Sequence, residues 1–511
     1  MLTSHARVVK INARRLAEVS IGLRCGLHGR CIVTPRVGLV SFSDPRSVEG
    51  LDTINERNLA CQREILDAFR AAALDVCAPF EDSCITRRGQ VKEALKRFAT
   101  ADIHALVLGC WKWTDPMLAV ETAQRANVPV LLVCTSDERM TGPGCLSAIG
   151  ASLWEVAAND YCLNHARIID DFAAAAEWVR AASAVEDLRR KSILLWGGSY
   201  CLRMEHLRDD PAALKSFLIG DVLVEGQYLL IRRAEEIASC SPGRIEKFTA
   251  WLQDGGASIE FDDVMLTPES LRRQVALYLA ARDRLRELEA EEVVGVSIRC
   301  QPELSVEYGV TGCLIPAFLP FAADSEGPQT PVATTCEGDT KGLLTSLLLE
   351  RIHGSAPAGF GDIRTLEVDG KQHLMIGNCG AASVFYAANS LDAARVLPEL
   401  RLRGQCQGAT GAAVGYSGKA SDKVTICRII RKAGEYTMQA VVGRMLDVTD
   451  EEIGRLDWGS MWPVSLFDID LDLQDFIEKI GSNHYSFVPG DHLRAVEHAC
   501  TLMDMPIERL D

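Results

Sequence analysis

The sequence has no apolar run approaching the roughly 18 uninterrupted residues that a membrane-spanning helix requires. Its best stretch, residues 214–232, is cut by charges. It also has no C-x-x-C pair. Its 18 cysteines are scattered from Cys25 to Cys500, without the spacing of a zinc site or of a small disulfide framework. They read instead as small buried hydrophobes in a reducing cytoplasm. Basic charge is in the minority, with 54 Lys and Arg against 70 Asp and Glu and a net charge of −16. No local basic stripe offsets that balance, which repels polyphosphates and argues against nucleic acid as a partner. Internal repeats and low-complexity tracts are missing too. What is there is 511 residues, 48% hydrophobic and 24% charged. That is apolar enough to fold and too long for one compact domain.

Residues 1–36 stand apart. They carry Arg7, Lys10, Arg14, Arg15, Arg24, Arg30 and Arg36 against a single acid, Glu18, and lack the apolar core of a secretory signal. They read as a basic N-terminal extension, a transit-like leader, or the product of a start codon upstream of the true one. From residue 37 onward, short β-branched runs at 37–42, 76–80, 105–108 and 129–134 alternate with helical stretches at 53–72, 90–100 and 116–126. Strands that are nearly all apolar and separated by helices predict a doubly wound parallel sheet. Long helices are expected over 153–182, followed by a charged boundary at 185–191 and a second strand and helix cycle beginning at 192–196. After Gly361 the texture turns Gly-, Thr- and Val-rich, with strands at 365–368, 424–430 and 436–442. The expected architecture is α/β domains over 37–190 and 191–354, then a β-rich, barrel-like C-terminal domain over 355–511.

Two phosphate-loop look-alikes fail. The stretch from Gly415 to Ser421 has Ala413 where the first glycine belongs and Ala420 in place of the magnesium-binding hydroxyl. Trp196-Gly197-Gly198-Ser199 lacks the full G-x-G-x-x-G pattern and reads as a tight turn after a strand.

The informative stretch runs from Pro331 through Glu337, Asp339 and His353 to Asp362. Apolar residues at 344, 347, 348 and 352 have helical spacing, with Asp339 or Thr340 as N-cap and Gly354 as the stop. Such a helix is ~20 Å long, and an extended return can bring Asp362 back beside Glu337. Alternatively, Glu337 caps the helix and Asp362 ends a strand in water. A third group, His484, lies between small polar residues and a short strand closed by Pro489-Gly490. Two carboxylates and an imidazole suit an octahedral Mn²⁺ or Mg²⁺ with positions open for substrate oxygens.

The Thr335-x-Glu337-x-Asp339 segment has an acid 25 residues beyond Glu337. Residues 298–304 precede it, and Asn483-His484 and Pro489-Gly490-Asp491 follow near the C-terminus. Together these resemble the L-fucose isomerase-like proteins, a group related to the L-arabinose isomerases. The resemblance implies that Glu337, Asp362 and His484 coordinate Mn²⁺, with Mg²⁺ or Co²⁺ as substitutes, and that Glu337 and Asp362 double as proton-transfer groups. It implies substrate contacts from Gln301 and Asn483, and from Trp111 in the N-terminal domain, which would reach a neighbouring subunit's site in a homo-oligomer, a trimer or hexamer. The alternative is that Trp111 and Trp113 pack inside their own domain. Trp458 and Trp462 are sugar platforms or core aromatics.

The implied activity is a cytoplasmic aldose–ketose isomerase acting on a monosaccharide of the fucose or arabinose type, or on a derivative altered at C6. Its proton would move between C1 and C2 through an enediol. The competing reading is a sugar-binding or regulatory protein with the same fold and no turnover; a third, a flavodoxin-like redox protein, leaves the C-terminal third unexplained. The sequence departs from the best-known members of that group in its basic N-terminal leader and in its C-terminal region.

Overall fold

The computed structural model describes residues 34–44, 51–405, 410–456, 462–469 and 472–510; the expected extension, apart from its last residues, lies outside them. The first sheet is parallel, with strands β1 (Arg36–Ser41), β2 (Asp75–Cys77), β3 (Ala105–Gly109), β4 (Val130–Cys134) and β5 (Ala166–Ile169) in the order β2-β1-β3-β4-β5. Its central strands β3 and β4 are buried along their whole length, which is why they read as unbroken apolar runs rather than alternating ones. The long helices expected over 153–182 are Gly142–Val156 and Phe172–Leu188, with a short helix, Asp160–Leu163, and then β5 between them. Edge strand β5 alternates half-buried and exposed residues and carries Arg167, so it has none of the apolar signature of its neighbours.

The second sheet is also parallel and is formed by β6 (Ser192–Trp196), β7 (Asp221–Glu225), β9 (Val293–Ile298) and β12 (Ala333–Cys336), in the order β12-β9-β6-β7. The intervening β8 (Ser258–Ile259) leaves this region to pair with the third sheet, and β10 (Ala323–Asp324) and β11 (Gly327–Pro328) form a small ribbon. The third sheet is mainly antiparallel. Its strands are β13 (Gly359–Val368), β14 (Lys371–Gly377), β15 (Arg401–Gly404), β16 (Ala412–Ser417), β17 (Ser421–Lys432), β18 (Glu435–Leu446), β19 (Pro463–Ile469), β20 (His484–Pro489) and β21 (Ile507–Arg509), with β8 at one edge. Pairings run β18-β17-β20-β13-β14-β19, and β19 also pairs with β18, so this circuit returns to its first strand. None of the described helices is long and apolar enough to cross a membrane.

One helix joins the second and third sheets. Thr340–His353 starts at the Asp339 N-cap and ends at Gly354, whose φ of 89° is the left-handed stop that glycine tolerates. The sequence pattern assigned it one apolar face, yet it is buried on all sides. Leu343 and Leu347 pack over Gly295 of β9, where an added Cβ would lie within 3.0 Å of either leucine. On its other side Ser346 Oγ meets Ser486 Oγ of β20 at 2.9 Å, and Thr345 Oγ1 accepts the Ile429 N–H of β17 at 3.0 Å. The helix thereby carries its own polar groups into a buried setting with partners supplied.

His353, at the end of that helix, accepts the Ala356 N–H on Nδ1 at 3.0 Å, which fixes the neutral Nε2–H tautomer. Burial, reinforced by His492 and Arg180, pushes its pKa down to about 3. A histidine depressed in the folded state contributes stability that is complete above its unfolded pKa of ~6.5 and is lost as pH falls toward 3. Wild-type stability should therefore drop by about 1–2 kcal/mol from this group between pH 7 and pH 5. In urea titrations His353→Asn, which keeps an acceptor near Nδ1, should show a shallower acid slope; an unchanged slope would remove His353 from the titration.

Candidate active site

The site grows from the turn between β12 and the Thr340–His353 helix. Glu337 and Gly338 both take left-handed backbone angles, φ 63° and 65°. Only glycine fits at 338, because a Cβ there would lie 2.6 Å from the Tyr200 amide nitrogen and 2.8 Å from the Gly198 carbonyl. At the non-glycine Glu337 the conformation costs about 1 kcal/mol or more, and it holds the carboxylate inward, 6% exposed.

His484 begins β20, and the β13–β20 register sets it directly opposite Asp362. Cross-strand neighbours have Cβ atoms ~5 Å apart, so the sheet itself brings these two groups together. His484 Nε2 lies 3.2 Å from Glu337 Oε2 and 3.5 Å from Asp362 Oδ1. Its other nitrogen, Nδ1, is 2.8 Å from Asp339 Oδ2. Asp339 is held in turn by Arg428, whose two terminal nitrogens donate at 2.7 and 3.0 Å, and it accepts the Gly342 N–H at 2.9 Å as helix cap. Asp339, Arg428 and His484 are all at most 1% exposed. Asn483 donates Nδ2–H to Asp362 Oδ1 at 2.8 Å, and its Oδ1 lies 2.8 Å from His206 Nε2.

Charge follows from these contacts. Burial alone would lower the His484 pKa, but its contacts with the Asp339 and Glu337 carboxylates and the charge of Asp362 outweigh it, raising the value to about 10. Asp339 goes the other way: burial opposes ionisation, and Arg428 together with His484 holds its carboxyl far below the usual range. Asp362 is raised by burial foremost, with the Glu337 charge adding to it and His484 and Asn483 opposing it.

Among the described residues no group of three His, Cys, Asp or Glu side chains is already disposed to hold a metal ion. The side chains nonetheless fit one by two physical criteria. Glu337 Oε2 and His484 Nε2 are both buried and have no hydrogen bond beyond their mutual 3.2 Å charge contact, a setting in which a cation could stand in place of the imidazole proton. Separations of 3.2 and 3.5 Å are also close to the ~3 Å between adjacent ligands of an octahedral ion at ~2.1 Å.

The remaining sequence-derived candidates are dispersed. Gln301 lies in the turn after β9; Ile298 of that strand pairs with Cys336, so Gln301 and Glu337 stand at the same end of adjacent strands. Trp111 is fully buried in the core of the first sheet, donates its indole N–H to Ser41 Oγ at 2.8 Å and meets Phe172 edge-on at 6.0 Å. With no face to offer a sugar or a neighbouring subunit, its assignment as a substrate contact is corrected; Trp113, 48% exposed, is the outward-facing one. Trp462 is likewise a core residue, 3% exposed, packed with Val464 and Leu466 beneath the Arg364 guanidinium. Trp458 lies outside the described residues.

Sequence reading missed Asp339 as the partner of His484, because its capping role already explained it. It also missed Arg428 and His206, which lie within strand and loop patterns that carry no motif. A separate crevice of about 500 Å³ opens at the ends of β6, β7 and β9, lined by Gly197, Gly198, Glu225, Gln227 and Arg299. That is where the strand order of the second sheet reverses, the usual place for a ligand crevice; the acid–histidine cluster sits instead past the edge strand β12.

Comparison with known proteins finds the L-fucose isomerase C-terminal domain family matching residues 376–510. That span contains Asn483 and His484, while Glu337 and Asp362 precede it. Two curated relatives, the sulfoquinovose isomerases of Priestia aryabhattai and Priestia megaterium, are each 24% identical to the chain over 164 residues, 32% of this chain and 33% of theirs. The match thus spans about a third of the length of those relatives. The likeness to L-fucose isomerase-like proteins read from the sequence is met by both comparisons.

Proposed function

We propose that this chain is a divalent-metal-dependent aldose–ketose isomerase, with Glu337, Asp362 and His484 as the metal-holding set and the β13–β20 circuit as a barrel-like support for it. The observation that carries the reading is the convergence of two carboxylates on one buried imidazole nitrogen. Interconverting an aldose and a ketose moves a proton between C1 and C2. A bound Mn²⁺ or Mg²⁺ would supply the positive charge that stabilises oxygens O1 and O2 as electron density shifts onto them.

The protein's own groups do the rest. Glu337 and Asp362 approach from different elements, one from a parallel strand's end and one from an antiparallel strand, so they flank whatever lies between them. One carboxylate takes the carbon-bound proton and the other group returns it, which requires at least one oxygen left outside the metal shell. The raised pKa of Asp362 suits a proton-carrying group. Asp339 orients His484 from behind, as carboxylates commonly do for metal-bound histidines.

The test is metal analysis of the purified protein, then a screen of aldoses and ketoses that includes L-fucose, L-arabinose and sulfoquinovose, the sugar in the relatives' names. Turnover should disappear on chelation and return with Mn²⁺. Because His484 must lose a proton to bind a metal, apparent Mn²⁺ affinity should rise with pH below about 10. Turnover indifferent to chelation, or a protein that neither binds divalent ions nor interconverts any sugar, would overturn the reading.

A further inference from the structure

The loop after β6 is unusual in its backbone. Tyr200, Leu202 and Arg203 have φ of 48°, 51° and 61°, following Gly197 and Gly198 at 86° and 84°. Non-glycine residues adopt this region at a cost, and persist in it where the surroundings dictate the path. Here the loop is clamped at both ends. The Tyr200 N–H donates to the Gly338 carbonyl at 3.0 Å, beside Glu337. At the far end Asp209 takes Lys341 Nζ at 2.6 Å and the Tyr436 hydroxyl at 3.0 Å, while Arg431 donates to the Arg208 carbonyl at 2.8 Å. Leu207 is fully buried. Between these anchors the loop presents His206, whose ring reaches Asn483.

We propose that His206 is a positioning residue for Asp362, acting through the side-chain amide of Asn483; the inference rests on the isomerase reading above. The chemistry of the amide carries it. Asn483 Oδ1 can only accept, so His206 Nε2 must be the donor across their 2.8 Å contact. The NH₂ group of the same amide donates to Asp362 Oδ1, also at 2.8 Å, so the side chain is held at both ends. An amide is nearly the same shape after a half-turn. Asp362 itself selects the NH₂ end, since a half-turn would set two acceptors face to face; without His206 the amide is held at one end only, and its donor is free to swing away from Asp362. A surface histidine on the second sheet's loop thereby anchors the far end of an active-site amide on the third sheet, and with it the donor that holds the Asp362 carboxylate.

The experiment compares wild type, His206→Ala, His206→Gln, Asn483→Ala and the double variant His206→Ala with Asn483→Ala. Each is assayed for kcat, KM and Mn²⁺ dissociation constant, the last by calorimetry in the absence of sugar. His206→Ala should lower kcat about 10- to 100-fold and weaken Mn²⁺ binding about tenfold, the range for lost partners of metal ligands, with KM nearly unchanged. His206→Gln, whose Nε2 can stand near the imidazole Nε2, should recover most of both. The double variant should be no worse than Asn483→Ala alone, because both act through one contact. Wild-type kcat and Mn²⁺ affinity in His206→Ala, or multiplying defects in the double variant, would overturn the proposal. So would a change confined to KM, which would make His206 a substrate contact. A wild-type protein without Mn²⁺ binding or turnover overturns the isomerase reading itself, an outcome separate from an active enzyme indifferent to His206.

Discussion

Glu337→Gln should depress kcat by about 10²-fold or more while the protein stays folded, since positioned acid–base groups typically contribute 10²–10⁴. The substitution keeps the volume and one oxygen of the side chain and removes its ability to take a proton. Glutamine meets the same left-handed backbone at 337, so strain does not distinguish the two. Asp362→Asn should behave alike, because Asp362 faces the same His484 nitrogen from the opposite strand at 3.5 Å. The measurement is kcat at saturating Mn²⁺, with metal content verified. A metal-loaded Gln variant working at a near-normal rate would leave Glu337 only as a ligand.

Asp339→Asn should be the most damaging substitution for stability. Asparagine is as good a helix cap as aspartate, so the Gly342 N–H keeps its acceptor. What disappears is the charge that Arg428 and His484 share. Arg428 is wholly buried with its terminal nitrogens on this one carboxylate, and removing one member of a buried pair costs about 3–5 kcal/mol, because the other charge stays uncompensated. His484 would lose its orienting partner as well, weakening Mn²⁺ binding by about 10- to 100-fold. Denaturant unfolding and metal titration read the two effects separately. Adding Arg428→Met to Asp339→Asn should recover much of the stability and none of the metal affinity. If the single variant unfolds at the wild-type midpoint, the ion pair contributes little.

The alternation of buried runs with helices made β1 to β4 of the first sheet and β6 and β9 of the second readable, because strands covered on both faces leave unbroken apolar segments such as β3 and β4; β7 and β12 of the second sheet were not read. Edge strand β5 escaped notice for the converse reason, its pattern being half-exposed and interrupted by Arg167. Likewise the Asp339 cap and Gly354 stop were legible, since helix ends impose local chemistry. The all-round burial of the helix between them was not, because it depends on two sheets distant in the chain. The acid–histidine set could be nominated from motif resemblance, but its convergence is a matter of register: Asp362 opposite His484 is a fact about two strands some 120 residues apart, written in no local pattern. For Trp111 and Trp462 the sequence left a core role and a sugar contact both open, because an indole suits either and spacing cannot tell which; both side chains lie buried in the structure.

The helix Thr340–His353 touches β9 and β12 on one side and β17 and β20 on the other. Its hydrophobic residues have no solvent-compatible face to fall back on, so it cannot be sheltered by either sheet alone. The strand-to-helix turn bearing Glu337 and the sequence-distant strands β13 and β20 bearing Asp362 and His484 therefore share this one helix as a packing partner. A chain caught with one sheet formed and the other open would expose a nearly continuous leucine surface and would have no metal-holding geometry. On the isomerase reading, the fold would couple quality control to chemistry: capture of an ion would require molecules that have completed their assembly.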